Sequence, residues 1–247
     1  MGWGDNLMAC GEAKLLHRKT GQKIKIGDGK VLLEQPIEIY ANNPYICKDA
    51  KDEGIWLNNY QGKRPYIKYT ENGRIIFKNY KPEPAELFFT DQEIEWAKRN
   101  APNDLIVIEP NVKDTYKHTI NKAWHYWDEL IKHDYPFYQL GMQTPITKQI
   151  KTQNFREALL ILSQAKMFIG TDGGLHHAAA ALGIPAIVIW TGFSSPKHLG
   201  YDSHINIHDG GEPCGTYSGI CPHCIKISKN IGIKRVLDAV DTIRCRA

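Results

Sequence analysis

The chain has 247 residues, of which 42% are hydrophobic and 23% charged, and its net charge is +4. These values are ordinary for a globular protein with a sizeable core and exclude a low-complexity chain. No apolar run approaches the roughly 20 residues that cross a membrane, and no signal-peptide pattern opens the chain, so we expect a cytoplasmic protein. The small positive excess is compatible with phosphorylated or nucleic-acid partners and does not choose among them.

The first hundred residues carry irregular secondary-structure signals. The predicted elements are a helix over 6–19, a strand over 23–26 and a helix over 91–99. Between them, residues 55–89 are rich in aromatic, polar, proline and glycine residues and predict no helix. Residues 100–104 form a turn-rich stretch that is typical of a domain boundary. We therefore predict a compact N-terminal domain over 1–100 and a second domain over 101–247.

The second domain alternates strand and helix signals. Continuous apolar runs, typical of buried parallel strands, recur between amphipathic stretches. The predicted strands are 105–108, 137–140, 167–169 and 186–190. The predicted helices are 121–133, 155–165, an alanine-rich helix that ends at Gly183, and 235–243. This alternation predicts an α/β domain whose doubly wound parallel sheet is covered by helices on both faces.

One segment combines a strand end, a glycine turn and a helix start. It reads Gly170-Thr171-Asp172-Gly173-Gly174-Leu175-His176-His177 and continues into four alanines. The free backbone N–H groups at such a helix start suit a phosphate, and the helix dipole adds to the attraction. Asp172 taken alone is equally consistent with a helix cap. Because neighbouring helical residues point to different sides, we expect at most one of the two histidines to face a ligand.

Two further segments place charged side chains beside turns. The chain opens with Gly2-Trp3-Gly4-Asp5, which puts a carboxylate at a helix start that a substrate can approach, although an ordinary helix cap fits equally. Glu109 and Asn111 follow the strand over 105–108, and Lys122 lies at the start of the next predicted helix. The turn over 192–196 follows a predicted strand and is either a connection or part of a ligand pocket.

Together the three charged segments resemble motifs of glycosyltransferase family 9, the heptosyltransferase family. The turn resembles the family's nucleotide-sugar motif Asp-Thr-Gly-Leu-x-His, with Asp172, Gly174, Leu175 and His177 matching and Gly173 in place of the threonine. The replacement removes one hydroxyl that bonds phosphate in the family and leaves the backbone groups unchanged. The resemblance therefore implies a donor-binding turn.

The other two segments resemble the family's remaining motifs. Gly4 and Asp5 resemble the Gly-Asp motif whose aspartate is the general base, and Lys122 with Trp124 resembles the Lys-x-Trp whose lysine contacts donor phosphate. Glu109 is then a ligand for sugar or ribose hydroxyls, as is Asp172. One departure concerns the opening, because only Met1 precedes Gly2 where the family has a buried strand.

This resemblance implies a GT-B-type fold of two Rossmann-like domains, the N-terminal one reduced. It implies metal-independent, inverting transfer of a sugar, heptose among the options, from a nucleotide diphosphate to an acceptor hydroxyl. An ADP-sugar is the favoured donor, and a glycan or lipopolysaccharide core is the implied acceptor. Two alternatives stay open: a sugar transferase acting on DNA bases, and an inactive interaction module for nucleic acid or protein that holds a metal.

The six cysteines argue against a disulfide scaffold and leave free thiols or metal ligation. Three lie close in sequence, Cys214, Cys221 and Cys224, and Cys245 lies near the end of the chain. Four soft ligands suit zinc or iron, but a second C-x-x-C is missing. We expect no cofactor for catalysis, and we keep both a structural metal on these four cysteines and unligated thiols open.

Overall fold

The computed structural model describes residues 2–32, 37–60, 63–111 and 117–245. The helices in this part of the chain are α1 (Trp3–Thr20), α2 (Ile37–Tyr40), α3 (Asp91–Asn100), α4 (Trp127–Leu130), α5 (Phe155–Leu162), α6 (Gly174–Leu182), α7 (Pro196–Leu199), α8 (Pro222–Asn230) and α9 (Ile233–Arg244), with a 3-10 helix over Lys117–Lys122. The strands are β1 (Ile24–Gly27), β2 (Ile55–Asn58), β3 (Ile67–Glu71), β4 (Arg74–Phe77), β5 (Ile106–Glu109), β6 (Phe137–Leu140), β7 (Lys148–Ile150), β8 (Met167–Thr171), β9 (Ala186–Ile189) and β10 (Ile205–Ile207).

Six parallel strands form the central sheet in the order β10-β9-β8-β5-β6-β7. The first strand of this set, β5, therefore pairs with both the second and the fourth, which is the doubly wound order of Rossmann-like sheets. The chain reverses its winding direction between β5 and β8, where Glu109 lies beside Gly170 in the register. The predicted α/β fold is confirmed, and ligands of such sheets bind at this switch point.

Both faces of the sheet are buried, which explains why its central strands are continuous apolar runs. On one face, Val107 and Phe168 pack in a core cluster with residues of α1, α5 and α6. On the other face, Ile108 and Ile169 pack with Val236 and Val240 of α9. The alternation along each strand assigns neighbouring residues to opposite layers.

The N-terminal part contains little sheet among its described residues. β1 and β2 form a two-stranded parallel pair, and β3 and β4 form an antiparallel hairpin. The helix α1 packs against α6 and shares one hydrophobic cluster with the central sheet. The division of the chain into domains at residue 100 stays a prediction.

The helix predicted over 121–133 is wrong. In its place the chain has the 3-10 helix, an irregular stretch and the single turn α4. The cause is tertiary: the indole of Trp124 donates to the Ile231 carbonyl at 2.7 Å, and the His125 ring hydrogen-bonds Ser228 at 2.6 Å. These contacts hold the segment against α8 and α9 in place of a regular helix.

Several short elements escaped prediction, namely β7, β10, α8 and the strands β2 to β4. The edge strands β7 and β10 have only three residues each and are partly exposed, so they lack the apolar run that marks a buried strand. No helix among the described residues has the length and apolarity needed to cross a membrane.

Candidate active site

The turn between β8 and α6 lies at the switch point of the sheet. Gly173 is the N-cap of α6 and provides no side chain to cap its first N–H groups. Leu175 is buried at the first turn of the helix and packs into the core that α1 shares with the sheet. The backbone N–H groups at this helix start and the helix dipole favour an anion.

Asp172 is buried and closely held by partners on both sides of the turn. Its Oδ2 accepts hydrogen bonds from the Lys122 ammonium at 2.7 Å and from the Ser194 hydroxyl at 2.6 Å. Burial is the largest single influence and favours the neutral acid, but the charge and hydrogen bond of Lys122 together with the neighbouring His176 and His177 outweigh it and hold the pKa of Asp172 well below its ordinary value. The Lys122 ammonium also lies 4.9 Å from the centre of the Phe193 ring. Asp172 therefore stays ionised and fixes Lys122 beside the turn.

Two buried histidines pack next to the same carboxylate. His176 Nδ1 and His177 Nε2 are each 3.9 Å from Asp172 Oδ1, and His177 Nδ1 is hydrogen-bonded to the Tyr201 hydroxyl at 2.9 Å. Burial lowers the pKa of His177 to about 4 and also lowers the pKa of His176. Both rings are therefore neutral at pH 7, so the lysine is the main positive charge beside Asp172.

The opening turn holds Asp5 in a second charged cluster. Its Oδ2 forms an ion pair with the Arg64 guanidinium and accepts a hydrogen bond from the Gly2 N–H at 3.2 Å. Its Oδ1 accepts a hydrogen bond from the Tyr66 hydroxyl at 2.7 Å. Burial raises the pKa of Tyr66 to about 12, so the phenol stays protonated and remains a donor. The carboxylate is positioned through both oxygens.

Two glycines let the first turns of α1 and α6 touch. A Cβ on Gly4 would lie 2.8 Å from Cδ2 of His177, and a Cβ on Gly174 would lie 2.9 Å from the Cβ of Trp3. Both distances are shorter than side chains tolerate, so a larger residue at either position would push the turns apart. The structure thus brings together the opening motif and the donor-type turn, which are some 170 residues apart in sequence.

Glu109 ends β5 on the other side of the switch point. Burial raises its pKa to about 7, although its Oε1 accepts a hydrogen bond from the Asn111 N–H at 3.2 Å. A carboxyl group that titrates near neutral pH at a sheet's ligand edge is a typical functional-site feature.

A small open cleft lies beyond the end of β9. It is lined by parts of the 192–196 turn and of the loop after β10, together with two residues of α8: Trp190, Gly192, Ser194, Ser195, Pro196, His208, Asp209, Gly210, Gly211, His223 and Ile227. Ser194 also donates a hydrogen bond to Asp172, so this one residue links the cleft lining to the donor-type turn.

Three of the four predicted cysteines come together. Cys214, Cys221 and Cys224 each place a sulfur within 4.8 Å of the others, and the fourth candidate ligand in this group is His223. The prediction for Cys245 needs correction: it is the exposed C-cap of α9 and is not in the group. The cause is that α9 turns its buried face to the sheet and ends in solvent.

Sequence reasoning missed Arg64, Tyr66, Ser194 and Tyr201. Arg64 and Tyr66 lie in the 55–89 segment, whose irregular composition carries no periodic signal. Ser194 lies in the 192–196 turn, which follows a predicted strand and which the sequence left open as part of a ligand pocket, but its bond to Asp172 was not predicted. Tyr201 had no sequence signal, since its role depends on a contact with a helix 24 residues away.

Comparisons with known proteins agree with this geometry. Residues 140–214 match the model of glycosyltransferase family 9 (heptosyltransferase), a segment that contains the Asp172 turn, Ser194 and Tyr201. No curated protein matches. A glycosyl transferase family 9 structure from Veillonella parvula DSM 2008 superposes with a TM-score of 0.68 at 15% identity, covering 100% of this chain and 96% of that one.

Two longer proteins also appear among the solved structures. E. coli ADP-heptose lps heptosyltransferase II superposes with a TM-score of 0.49 at 15% identity, covering 74% of this chain and 59% of its own. The iron-containing dodecameric glycosyltransferase TibC from enterotoxigenic E. coli H10407 has a TM-score of 0.49 at 18% identity, covering 67% and 49%. This chain thus spans only about half to three fifths of these proteins.

The fold defines an α/β protein of the GT-B type, and the glycine turn before α6 lies at the switch point of its parallel sheet. The predicted resemblance to heptosyltransferase-like proteins of glycosyltransferase family 9 is confirmed.

Proposed function

We propose that this protein is an inverting glycosyltransferase that moves a sugar from a nucleoside-diphosphate donor to an acceptor hydroxyl without a catalytic metal. The observation that carries the proposal is the contact between the two turns. Gly4, the residue before Asp5, packs against His177 in the first turn of α6, and this contact supports a single site that contains both the Asp5 carboxylate and the helix start at Gly174. A base and an anion-binding turn in one cleft are the two parts that such a transfer requires.

The donor half consists of the start of α6 and Lys122. As the glycosidic bond breaks, negative charge builds on the departing diphosphate. The backbone N–H groups of the helix start and the ammonium of Lys122 stabilise that charge. Lys122 keeps 28% of its side chain exposed although it is paired with Asp172, so its remaining N–H donors can reach a ligand. This arrangement supplies positive charge without a metal ion.

The acceptor half centres on Asp5. The carboxylate is paired with the Arg64 guanidinium, and the Tyr66 hydroxyl orients it by donating a hydrogen bond. In the proposed step, Asp5 takes the proton of the acceptor hydroxyl as that oxygen bonds to the anomeric carbon and the bond to the diphosphate breaks. Attack opposite the leaving group inverts the configuration at that carbon.

The family 9 match favours an ADP-linked sugar such as ADP-heptose as donor, and a glycan or lipopolysaccharide core as acceptor. We assign Glu109 and Asn111 to hydroxyl groups of the donor, because they lie at the ligand edge of β5 beside the turn.

The test is a transfer assay with ADP-heptose and a heptose-free lipopolysaccharide core. Release of ADP together with a heavier acceptor supports the proposal, and ADP-, UDP- and GDP-hexoses serve as alternative donors. Asp5→Asn removes the base, whereas Asp91→Asn, in the first turn of α3 and away from the site, is the matched control. No nucleoside diphosphate release from any donor by the folded wild-type protein contradicts the proposal.

A further inference from the structure

The cysteine cluster lies outside the machinery proposed for sugar transfer. Cys221 is the N-cap of α8, with His223 and Cys224 in the first turn of that helix, and Cys214 comes from the preceding loop. Suitable ligand atoms of these four residues all lie within 4.8 Å of one another, and the sulfurs of Cys214 and Cys224 are 3.1 Å apart. All three cysteines are buried.

We propose that Cys214, Cys221, His223 and Cys224 bind one divalent metal ion, Zn²⁺ or Fe²⁺, in a closed tetrahedral site with a structural role. With metal–sulfur bonds of about 2.3 Å, tetrahedral coordination places sulfurs roughly 3.8 Å apart. The ligand atoms here lie within 4.8 Å of one another, so binding requires only small side-chain shifts, including a widening of the 3.1 Å distance between the Cys214 and Cys224 sulfurs. Three thiolates and one imidazole are a common donor set for structural zinc, and thiolates select soft or borderline metals.

The backbone around the ligands is already fixed, which limits the cost of metal binding. The Cys214 N–H donates to the Gly192 carbonyl at 2.9 Å, and its carbonyl accepts from the Arg74 guanidinium at 2.7 Å. The Cys221 N–H donates to Asn121 Oδ1 at 2.8 Å. A site of three thiolates and a divalent ion has a net charge of −1, which the Arg74 guanidinium partly offsets.

The metal would stabilise the segment that leads into the proposed donor site. The Asn121 side chain accepts a hydrogen bond from the Cys221 N–H. It also donates hydrogen bonds to the carbonyls of Thr216 and Gly219 at 2.9 and 2.8 Å. Lys122 is the next residue, and its ammonium reaches Asp172. Gly192, bonded to Cys214, is two residues from Ser194, the other donor to Asp172. The metal therefore ties both partners of Asp172 to one loop.

The test measures the metal directly and needs no transfer activity, so it stands or fails apart from the proposed function. The full chain, purified without a histidine tag, is reduced, supplied with one equivalent of Zn²⁺ or Fe²⁺ and freed of excess ion. Elemental analysis then gives metal per chain and distinguishes zinc from iron, and Co²⁺ substitution reports tetrahedral thiolate ligation by its visible absorption.

We expect about one ion per chain in the wild type and in Cys245→Ser, the matched control whose thiol lies outside the group. Cys221→Ser and His223→Gln should lose at least nine tenths of the metal, whereas His223→Cys should retain it as a four-cysteine site. Should Cys221→Ser fail to fold, the pair His223→Gln and His223→Cys carries the same comparison.

Three results would overturn the site. The first is a reduced, folded wild-type chain that retains no ion after reconstitution. The second is a metal-bound chain in which Cys245→Ser abolishes binding while His223→Gln does not. The third is a disulfide between Cys214 and Cys224 that forms in the presence of Zn²⁺, because it removes two of the ligands.

Discussion

Asp5 and Asp172 are two aspartates at the start of two helices that touch each other, yet their surroundings differ. Asp172 is 6% exposed, paired with a lysine and a serine, and flanked by two neutral histidines. Asp5 is 15% exposed and paired with an arginine and a tyrosine. The partners of Asp172 come from the end of the 3-10 helix and from the 192–196 turn, whereas Arg64 and Tyr66, the partners of Asp5, come from the segment just before β3.

The difference separates two roles for the same residue type. A carboxylate that is nearly inaccessible cannot receive a proton from a substrate, but it can fix the position of a cation that binds one. Asp5, whose side chain keeps 15% of its surface exposed, is the more accessible of the two carboxylates. This difference supports our proposal that Asp172 positions Lys122 and that Asp5 is the base.

The largest expected effect comes from Asp5→Asn. We expect turnover to fall about 10²- to 10⁴-fold, the range typical for loss of a general base, with the Kd for the donor changed less than threefold. Transfer kinetics and calorimetric donor binding measure the two quantities. Asp91→Asn should leave both at wild-type values. A large loss of donor affinity in Asp5→Asn would mean that Asp5 contributes to donor binding, and the separate roles proposed for the two aspartates would then be wrong.

Next in size is the effect of Lys122→Met on stability. The change leaves the buried Asp172 carboxylate without its cation, and we expect the free energy of unfolding to fall by about 3–5 kcal/mol. Urea denaturation followed by circular dichroism measures it. The double variant Lys122→Met/Asp172→Asn should recover part of the lost stability, because it leaves no buried carboxylate without a positively charged partner.

Lys98→Met is the control for that experiment, since Lys98 forms an ion pair with Glu95 in which both side chains are more than half exposed. It should change stability by less than about 0.5 kcal/mol. Equal effects of the two lysine substitutions would show that the Asp172 pair is not organising the turn.

The third prediction concerns pH, because buried groups with shifted pKa values lie near Asp172 and at the switch point of the sheet. His176, His177 and His204 have lowered pKa values, to about 4 for the last two, against an ordinary value near 6.5. Between pH 6.5 and 4 the unfolded chain binds more protons at these histidines, so stability falls as pH falls. Glu109, with its pKa raised to about 7, acts in the opposite sense.

With three histidines against one glutamate, the net effect near pH 5.5 is one to two protons. The free energy of unfolding should then fall by about 1.4–2.7 kcal/mol per pH unit. Denaturant titrations from pH 7 to pH 4.5 provide the measurement. Glu109→Gln should steepen the fall and His204→Gln should make it shallower. A flat profile in all three proteins would mean that these groups titrate normally.

The smallest expected effect is that of Gly4→Ala, which adds one methyl group between the two turns. Its Cβ would lie 2.8 Å from the His177 ring, so we expect a loss of about 1–3 kcal/mol in the free energy of unfolding. Gly219→Ala has no atom within 4 Å of its Cβ and should be near neutral. If Gly4→Ala changes the free energy of unfolding no more than the control does, the two turns are not in contact, and the proposal that they form one site is wrong.

Much of the central sheet could be predicted from the sequence because its buried strands are continuous apolar runs. The helix α6 was equally visible, since glycines precede it and Gly183 ends it in the left-handed conformation. The helix predicted from Ala123, Trp124 and Trp127 failed because their helical spacing reflects burial against α8 and α9, while side-chain bonds to those helices fix an irregular backbone.

The site divides in the same way. Asp172, Lys122 and Asp5 lie in short motifs with local signals, so the sequence pointed to them. Arg64 and Tyr66 contact Asp5 across about 60 residues of sequence, and no local pattern encodes a contact that depends on how distant segments pack. Cys245 was predicted to join the other cysteines and does not. Its distance from them could not be judged from the sequence, because Cys245 lies at the far end of α9, a helix of 12 residues.

The most direct test of the central claim is a calorimetric titration of the wild-type protein with ADP, UDP and GDP, repeated with Lys122→Gln and Asp5→Asn after a check that both are folded. We predict micromolar binding of one nucleotide, ADP first, at least tenfold weaker in Lys122→Gln and unchanged in Asp5→Asn. No binding of any nucleoside diphosphate by the folded wild type would contradict a donor site at the Asp172 turn.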